Sequence, residues 1–251
     1  MKEWIVGRNP VYEVLRAGRR EVYQLWLADG VQEKGRLADI LQLAARRQLR
    51  IKRGARSQLD AYGSGNQGVA LEASPFAYHA VPDLLARAEQ QNEPPFILLL
   101  DALQDPQNLG TLLRTAEVVG VHGLVLPYRR TATVTPAVVS ASSGASEHML
   151  IAQANLAQTI AQLKQAGLWV IGLEGSPQAS PPERVRLDGP LALVVGSEAQ
   201  GMRSLVRSHC DLLLRLPMRG RIDSLNAAVA GSIALYLAWQ ARGFSGASID
   251  V

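Results

Sequence analysis

Hydrophobic and polar positions along this chain follow two different rhythms. From residue 96 onward short unbroken apolar runs recur: FILLL at 96–100, GLVLP at 123–127, LWVIGL at 168–173, LALVV at 191–195 and LLLRLP at 212–217. Runs that are apolar at successive positions belong to strands covered on both faces. Helical segments separate them, so the pattern predicts an α/β fold on a parallel sheet. Ligands of such sheets bind beyond the carboxyl ends of the strands. Candidate chemistry is therefore expected in the loops that follow the apolar runs.

The front of the chain predicts a smaller α/β domain over 1–76. Asn9-Pro10 reads as an N-cap with proline in the first helical position. A strand at 22–27, a helix over about 33–48 and strands at 49–52 and 68–72 follow. The stretch SPFAYHAVPDLLARAEQQNEPP is polar and proline-bearing, which places a linker at 77–95 with at most one short helix and a second domain at 96–251. Ser224 to Ala241 (SLNAAVAGSIALYLAWQA) contains no charged residue and nearly reaches bilayer length. Its alanine content and its polar Ser224, Asn226, Ser232 and Gln240 argue for a helix buried between protein surfaces. No membrane partner is expected, and a subunit interface is one way to cover such a helix.

With 251 residues, 47% hydrophobic and 19% charged, the chain has the balance of a core-forming protein of one large or two ordinary domains. Charge sharpens the division, since residues 1–79 hold 13 Lys and Arg against 8 Asp and Glu, whereas 80–251 hold 13 against 14. Within the basic front, RRQLRIKRGAR gathers Arg46, Arg47, Arg50, Lys52, Arg53 and Arg56. Such a cluster attracts phosphate backbones without reading sequence; it also suits a solvated helix end, where cations favour the dipole. The single Cys210 closes no intrachain disulfide, and MKEWIVGRNP lacks the apolar core of a secretory signal, which together point to a cytoplasmic protein.

Three loops carry the candidate chemistry: LDALQDPQNLGTLLRTAE after 96–100, GSEAQGM after 191–195, and PMRGRIDSLNAAVAG after the last run. None holds GxxxxGK[ST] or GxGxxG, and no GxSxG elbow occurs. His79, His122, His148 and His209 are scattered, so no metal is expected. Asn108 and Arg114 are six residues apart, about one and two-thirds turns, and do not share one face. Asn108 reads as a cap at the helix entry, and Arg114 reads as a site residue or as an ion-pair partner of Glu117. Glu198 suits a helix N-terminus, and Ser224 and Asn226 suit a cap. Arg129 and Arg130 fit an RNA contact and a solvated loop equally.

In this order the blocks DPQNLGTLLRTAEVVGV, LVVGSEAQGM and LPMRGRIDSLNAAVAGSIALY resemble the three motifs of the SpoU (TrmH-like) family of the SPOUT superfamily. Its members are RNA ribose 2′-O-methyltransferases that use S-adenosyl-L-methionine. VGRNPVYEVLRAG and GNQGVAL are similar to the ribosomal-protein-like RNA-binding domain of the family's large-subunit rRNA guanosine methyltransferases. The resemblance implies a trefoil-knotted α/β catalytic domain, a homodimer and ribosomal RNA as partner. It implies catalytic roles for Arg114, Asn108, Glu198, Ser224 and Asn226, and cofactor contacts at Gly196, Leu216, Leu225, Met218 and Gly201. A guanidinium stays protonated, so Arg114 is expected to hold phosphate and stabilise developing alkoxide charge rather than act as a base. A non-catalytic RNA-binding protein and a tRNA methyltransferase are the competing readings.

Overall fold

The structure, a computed structural model, describes residues 2–197 and 200–247. The order begins β1 (Glu3–Val6), α1 (Arg8–Ala17), β2 (Val22–Ala28), α2 (Arg36–Arg46), β3 (Arg50–Gly54), α3 (Arg56–Asp60) and β4 (Val69–Ala73). It continues with α4 (Val81–Gln91), β5 (Phe96–Leu100), α5 (Pro106–Val118), β6 (Gly123–Leu126), α6 (Pro136–Ala141), β7 (Ile151–Gln153) and α7 (Leu156–Gln165). The remainder is β8 (Trp169–Leu173), β9 (Leu191–Val195), α8 (Ser204–His209), β10 (Leu212–Leu214) and α9 (Ala227–Ala241). Two compact units result: the chain through Ala77 together with Thr133–His148, and Tyr78–Ala132 together with the chain from Met149 onward.

The first unit is built on a four-stranded sheet of order β1-β4-β2-β3, in which only β2 and β3 run parallel. Strand β1 escapes sequence reading because four residues, EWIV, show no period. Its Trp4 stacks on Tyr62 at 3.9 Å, and Trp26 meets the same ring edge-on at 5.9 Å. Helix α1 starts earlier than the Asn9-Pro10 pair predicts. Gly7, at φ 96, takes the cap position, and Pro10 falls third in the helix rather than first.

The segment 133–148 belongs by sequence to the predicted second domain, yet it packs with the first unit. A buried ion pair accounts for this. Arg20 and Glu147 are both 1% exposed by side chain, and the guanidinium donates to both carboxylate oxygens at 2.9 and 2.8 Å. Arg20 also reaches Glu3 at 2.9 Å and the Ser74 carbonyl at 3.0 Å, so four of its five N–H donors are used. Losing one partner of such a pair strands the other charge, at about 3–5 kcal/mol. The stretch VVSASSGASEH, 138–148, therefore packs with the first unit.

The second unit carries an all-parallel six-stranded sheet of order β10-β8-β9-β5-β6-β7. Strands β5 and β9 are buried at every position, as the unbroken runs FILLL and LALVV require. The predicted linker is largely an eleven-residue helix, α4, whose Leu84 and Ala88 are fully buried. Leu84 packs into the same core as Ile97, Leu99 and Val125. Strand β7 is only three residues long, and β10 stops at Leu214, leaving the predicted 215–217 as loop. No described helix is long and apolar enough to cross a membrane. Helix α9 begins at Ala227, three residues after the predicted start, and runs for 15 residues.

His122, 1% exposed, bridges into β5: its Nδ1 accepts from the Phe96 amide at 3.0 Å. Its Nε2 lies 3.3 Å from a Glu93 oxygen but too far off line for a hydrogen bond. Burial, only partly offset by Glu93, pushes the imidazole below its ordinary pKa of 6.5. As pH falls through 6.5 the unfolded chain therefore takes up a proton that the native ring refuses, and stability is lost below that pH. Urea melts at pH 7.5 and 5.5 are expected to show a lower midpoint in acid, with part of the difference removed in His122→Gln; an equal difference in both proteins would contradict this.

Candidate active site

One cleft forms at the carboxyl ends of β8, β9 and β10, where the sheet rule puts it. Leu173, Glu174 and Gly175 follow β8, as the LEGS loop was expected to do; Gly196, Ser197 and Gly201 follow β9; Leu216, Met218 and 223–225 follow β10. All five predicted cofactor residues, Gly196, Gly201, Leu216, Met218 and Leu225, line this one cleft, with Ser224 beside them. Residues up to 57 positions apart, Leu173 and Ala230, are thus brought to a common wall by three parallel strands.

The loop after β9 is held by its own backbone. Ser197 and Gly201 exchange two hydrogen bonds, at 3.1 and 2.9 Å. Gly201 sits at φ 62, a conformation that side chains disfavour. Gly196 is required for space: a Cβ there would run into the backbone of Gly201 and Met202. Sequence reading overlooked the clamp that ties this loop to β5. Asp101, fully buried, accepts from the Arg203 amide at 2.7 Å and from its Nε at 2.7 Å. A carboxylate directly after a five-residue apolar strand was the available signal.

Asn108 and Asn226, 118 positions apart, meet at the adjoining helix ends. The Asn226 amide donates to Asn108 Oδ1 at 3.1 Å, while Asn226 Oδ1 caps α9 by accepting from Ala228 and Val229 at 2.9 and 3.1 Å. Leu225 and Ala227, the neighbours of Asn226, both line the cleft, so this pair stands at its rim. Asn108 is not the cap of α5, contrary to its sequence reading. Asp105 is, accepting from Gln107 at 3.0 Å with Pro106 first in the helix, and Asn108 is the buried third residue. Arg114 lies further along α5 on the exposed face, and it is not among the described residues lining the cleft of its own chain. Glu198 lies outside the described residues.

The basic cluster divides. Arg47 turns to the Leu15 carbonyl at 2.8 Å, Arg53 pairs with Glu33 at 2.6 Å, and Lys52 lies 5.6 Å from the Trp26 ring centre. All six except Lys52 nonetheless remain exposed. Along edge strand β3, Arg50 and Lys52 fall on one face and Arg53 on the other. The six cations therefore do not form one surface.

The cleft fits a cationic nucleoside cofactor. Leu173, Leu216, Leu225 and Met218 supply an apolar slot, Glu174 and Asp223 supply carboxylates, and the described lining contains no Lys or Arg. Arg207, 2.7 Å from Glu174, holds that carboxyl below the usual carboxylate range and so keeps it ionised. Behind the wall, burial pushes the Cys210 thiol up to about 12, which leaves it protonated and unreactive at neutral pH. No described group of three or more His, Cys, Asp or Glu could hold a metal ion.

An α/β domain that gathers three strand-end loops around an apolar, acid-rimmed cleft belongs to the nucleoside-cofactor enzymes. Within that class the assignment is narrower. Residues 95–236 match the SpoU rRNA Methylase family, and 4–79 match the RNA 2′-O ribose methyltransferase substrate binding family. The chain belongs to the SpoU family. It is 42% identical, over 96% of both chains, to Bacillus subtilis YacO, named for the TrmH family of tRNA/rRNA methyltransferases. It is 39% identical to the 23S rRNA (guanosine-2′-O-)-methyltransferase RlmB of Pseudomonas putida, over 96% of this chain and 97% of that one. The fold matches the SpoU methyltransferase AviRb of Streptomyces viridochromogenes, crystallised with AdoMet, at TM-score 0.79 and 20% identity, covering 97% and 92% of the two chains.

Proposed function

We infer that this chain is an S-adenosylmethionine-dependent ribose 2′-O-methyltransferase acting on a guanosine of large-subunit rRNA. The observation that carries this is the convergence of all five sequence-nominated cofactor residues on one cleft, in a chain alike from end to end to the named rRNA enzymes. S-adenosylmethionine supplies an electrophilic methyl group on a sulfonium. The chain's residues do the rest. Asn108 and Asn226 set the rim where the ribose enters, and Arg114 binds the nucleotide's phosphate and stabilises the negative charge that grows on the 2′-oxygen as its proton passes to an oxygen of that phosphate. Much of the acceleration is positional. Glu198 and Ser224 orient the guanidinium and the ribose.

The active unit is a homodimer. Helix α9 buries Ala227, Ala228, Gly231, Ala234, Leu235 and Ala238 but leaves Val229, Ile233 and Tyr236 at 46%, 41% and 46% exposure, an apolar stripe at helical spacing. Pairing across that face covers the stripe and carries Arg114 toward the partner's cleft. Light scattering at micromolar concentration is expected to give twice the chain mass; a monomer would count against it. Residues 1–76 act as the rRNA-binding domain and 96–251 hold the catalytic fold. The likeness to SpoU methyltransferases supports a trefoil knot in that catalytic fold, despite the rarity of knots. An rRNA substrate also supports a cytoplasmic location.

The test is incubation of the purified protein with tritiated S-adenosylmethionine and ribosomal RNA, followed by mapping of ribose methylation. Label is expected on the 2′-oxygen of a guanosine in the large-subunit RNA. Cofactor binding without label in any RNA would refute the reading, and label confined to tRNA would move the substrate.

A further inference from the structure

A second cleft, of about 480 Å³, opens at the carboxyl ends of β6 and β7 in the same unit. Tyr128, Arg129, Arg130, Arg203 and Leu205 wall it. Its size suits one nucleotide. Tyr128 and Leu205 present 67% and 60% of their surface to solvent at its edge. The described lining holds three arginines and no carboxylate. Arg203 is already neutralised by buried Asp101, so the net charge comes from Arg129 and Arg130, both exposed.

The two clefts draw on neighbouring positions of the segment that follows β9. Gly201 lines the cofactor cleft and Arg203, two residues on, lines the basic one. An exposed aromatic ring beside unneutralised guanidinium groups is matched by a splayed base with its phosphates, and a concave site of this size excludes a duplex. We propose that this cleft seats an unpaired nucleotide of the RNA substrate, flanking the one that is methylated. Its base packs on the Tyr128 ring and Leu205, and its phosphates lie against Arg129 and Arg130. The inference rests on the methyltransferase reading for its substrate and adds the residues that hold the strand.

Steady-state methylation of a large-subunit rRNA transcript tests it. Tyr128→Ala is expected to raise KM for RNA about tenfold, the scale of one lost base stack, with kcat and cofactor Kd within about twofold. Tyr128→Phe keeps the ring and restores KM. Arg129→Ala with Arg130→Ala lowers the slope of log affinity against log salt by about 1.4, the value for two single-strand phosphates. An unchanged KM in Tyr128→Ala, or Tyr128→Phe as impaired as Tyr128→Ala, overturns the proposal. Should wild-type protein label no RNA, the activity reading falls and a binding arm decides the cleft. Wild type and Tyr128→Phe, but not Tyr128→Ala, should change the fluorescence of a single-stranded oligoribonucleotide carrying 2-aminopurine; no change with wild type overturns it.

Discussion

Gly196→Ala is expected to weaken S-adenosylmethionine binding by about 5- to 150-fold. The added Cβ points into the backbone of Gly201 and Met202, and backbone, unlike a side-chain tip, has no rotamer by which to step aside. The loop must shift, and an overpacking cost of about 1–3 kcal/mol converts to that range of affinity. Because Ser197 and Gly201 are bonded to one another in both directions, the shift carries the whole turn away from the cleft. Gly201→Ala is the informative control. Its Cβ meets open space, so only the left-handed conformation resists it, at about 1–2 kcal/mol. Titration calorimetry with the cofactor alone reads both. Wild-type affinity in Gly196→Ala would show that this loop does not bound the cofactor site.

Arg114→Ala is expected to lower methyl transfer by about 10²–10³, the loss seen when one fixed electrostatic contact to a developing oxyanion is removed, while cofactor Kd stays within about twofold. The separation follows from the geometry: Arg114 lies on the exposed face of α5 and the cleft is lined without it. Arg114→Lys should recover only part of the rate, since an ammonium cannot present a planar fork to phosphate. Co-expression of Arg114→Ala with Gly196→Ala chains distinguishes the source of the guanidinium. If each site takes Arg114 from the partner, mixed dimers regain activity that neither variant has by itself. Full activity in Arg114→Ala would remove this residue from the mechanism.

The parts legible in the sequence were those written locally. Unbroken apolar runs named β5 and β9 correctly because burial on both faces leaves no polar alternation. Two short strands were not legible: β1 (EWIV) and β7 (IAQ) lack the unbroken apolar runs that named the equally short β6 and β10, and their existence depends on a neighbouring strand offering a ladder. The one helix allowed in the linker is α4, and its docking into the core was masked by flanking prolines and polar residues, although two buried side chains, Leu84 and Ala88, hold it there. Asn108 was misread because Asx residues favour caps generally, whereas here Asp105 caps α5 and leaves Asn108 for Asn226.

Sequence alone determined which residue types stand after which strands, and with them the family, because strand patterning and motif order are carried by neighbours in the chain. Tertiary structure decided the rest. It moved 133–148 into the first unit, since the buried Arg20 needs the Glu147 carboxylate. It split the basic cluster over two strand faces, and it stood Arg114 outside its own cleft. These outcomes turn on where desolvated charges find partners and on which face a side chain emerges, and both depend on contacts between residues far apart in the chain.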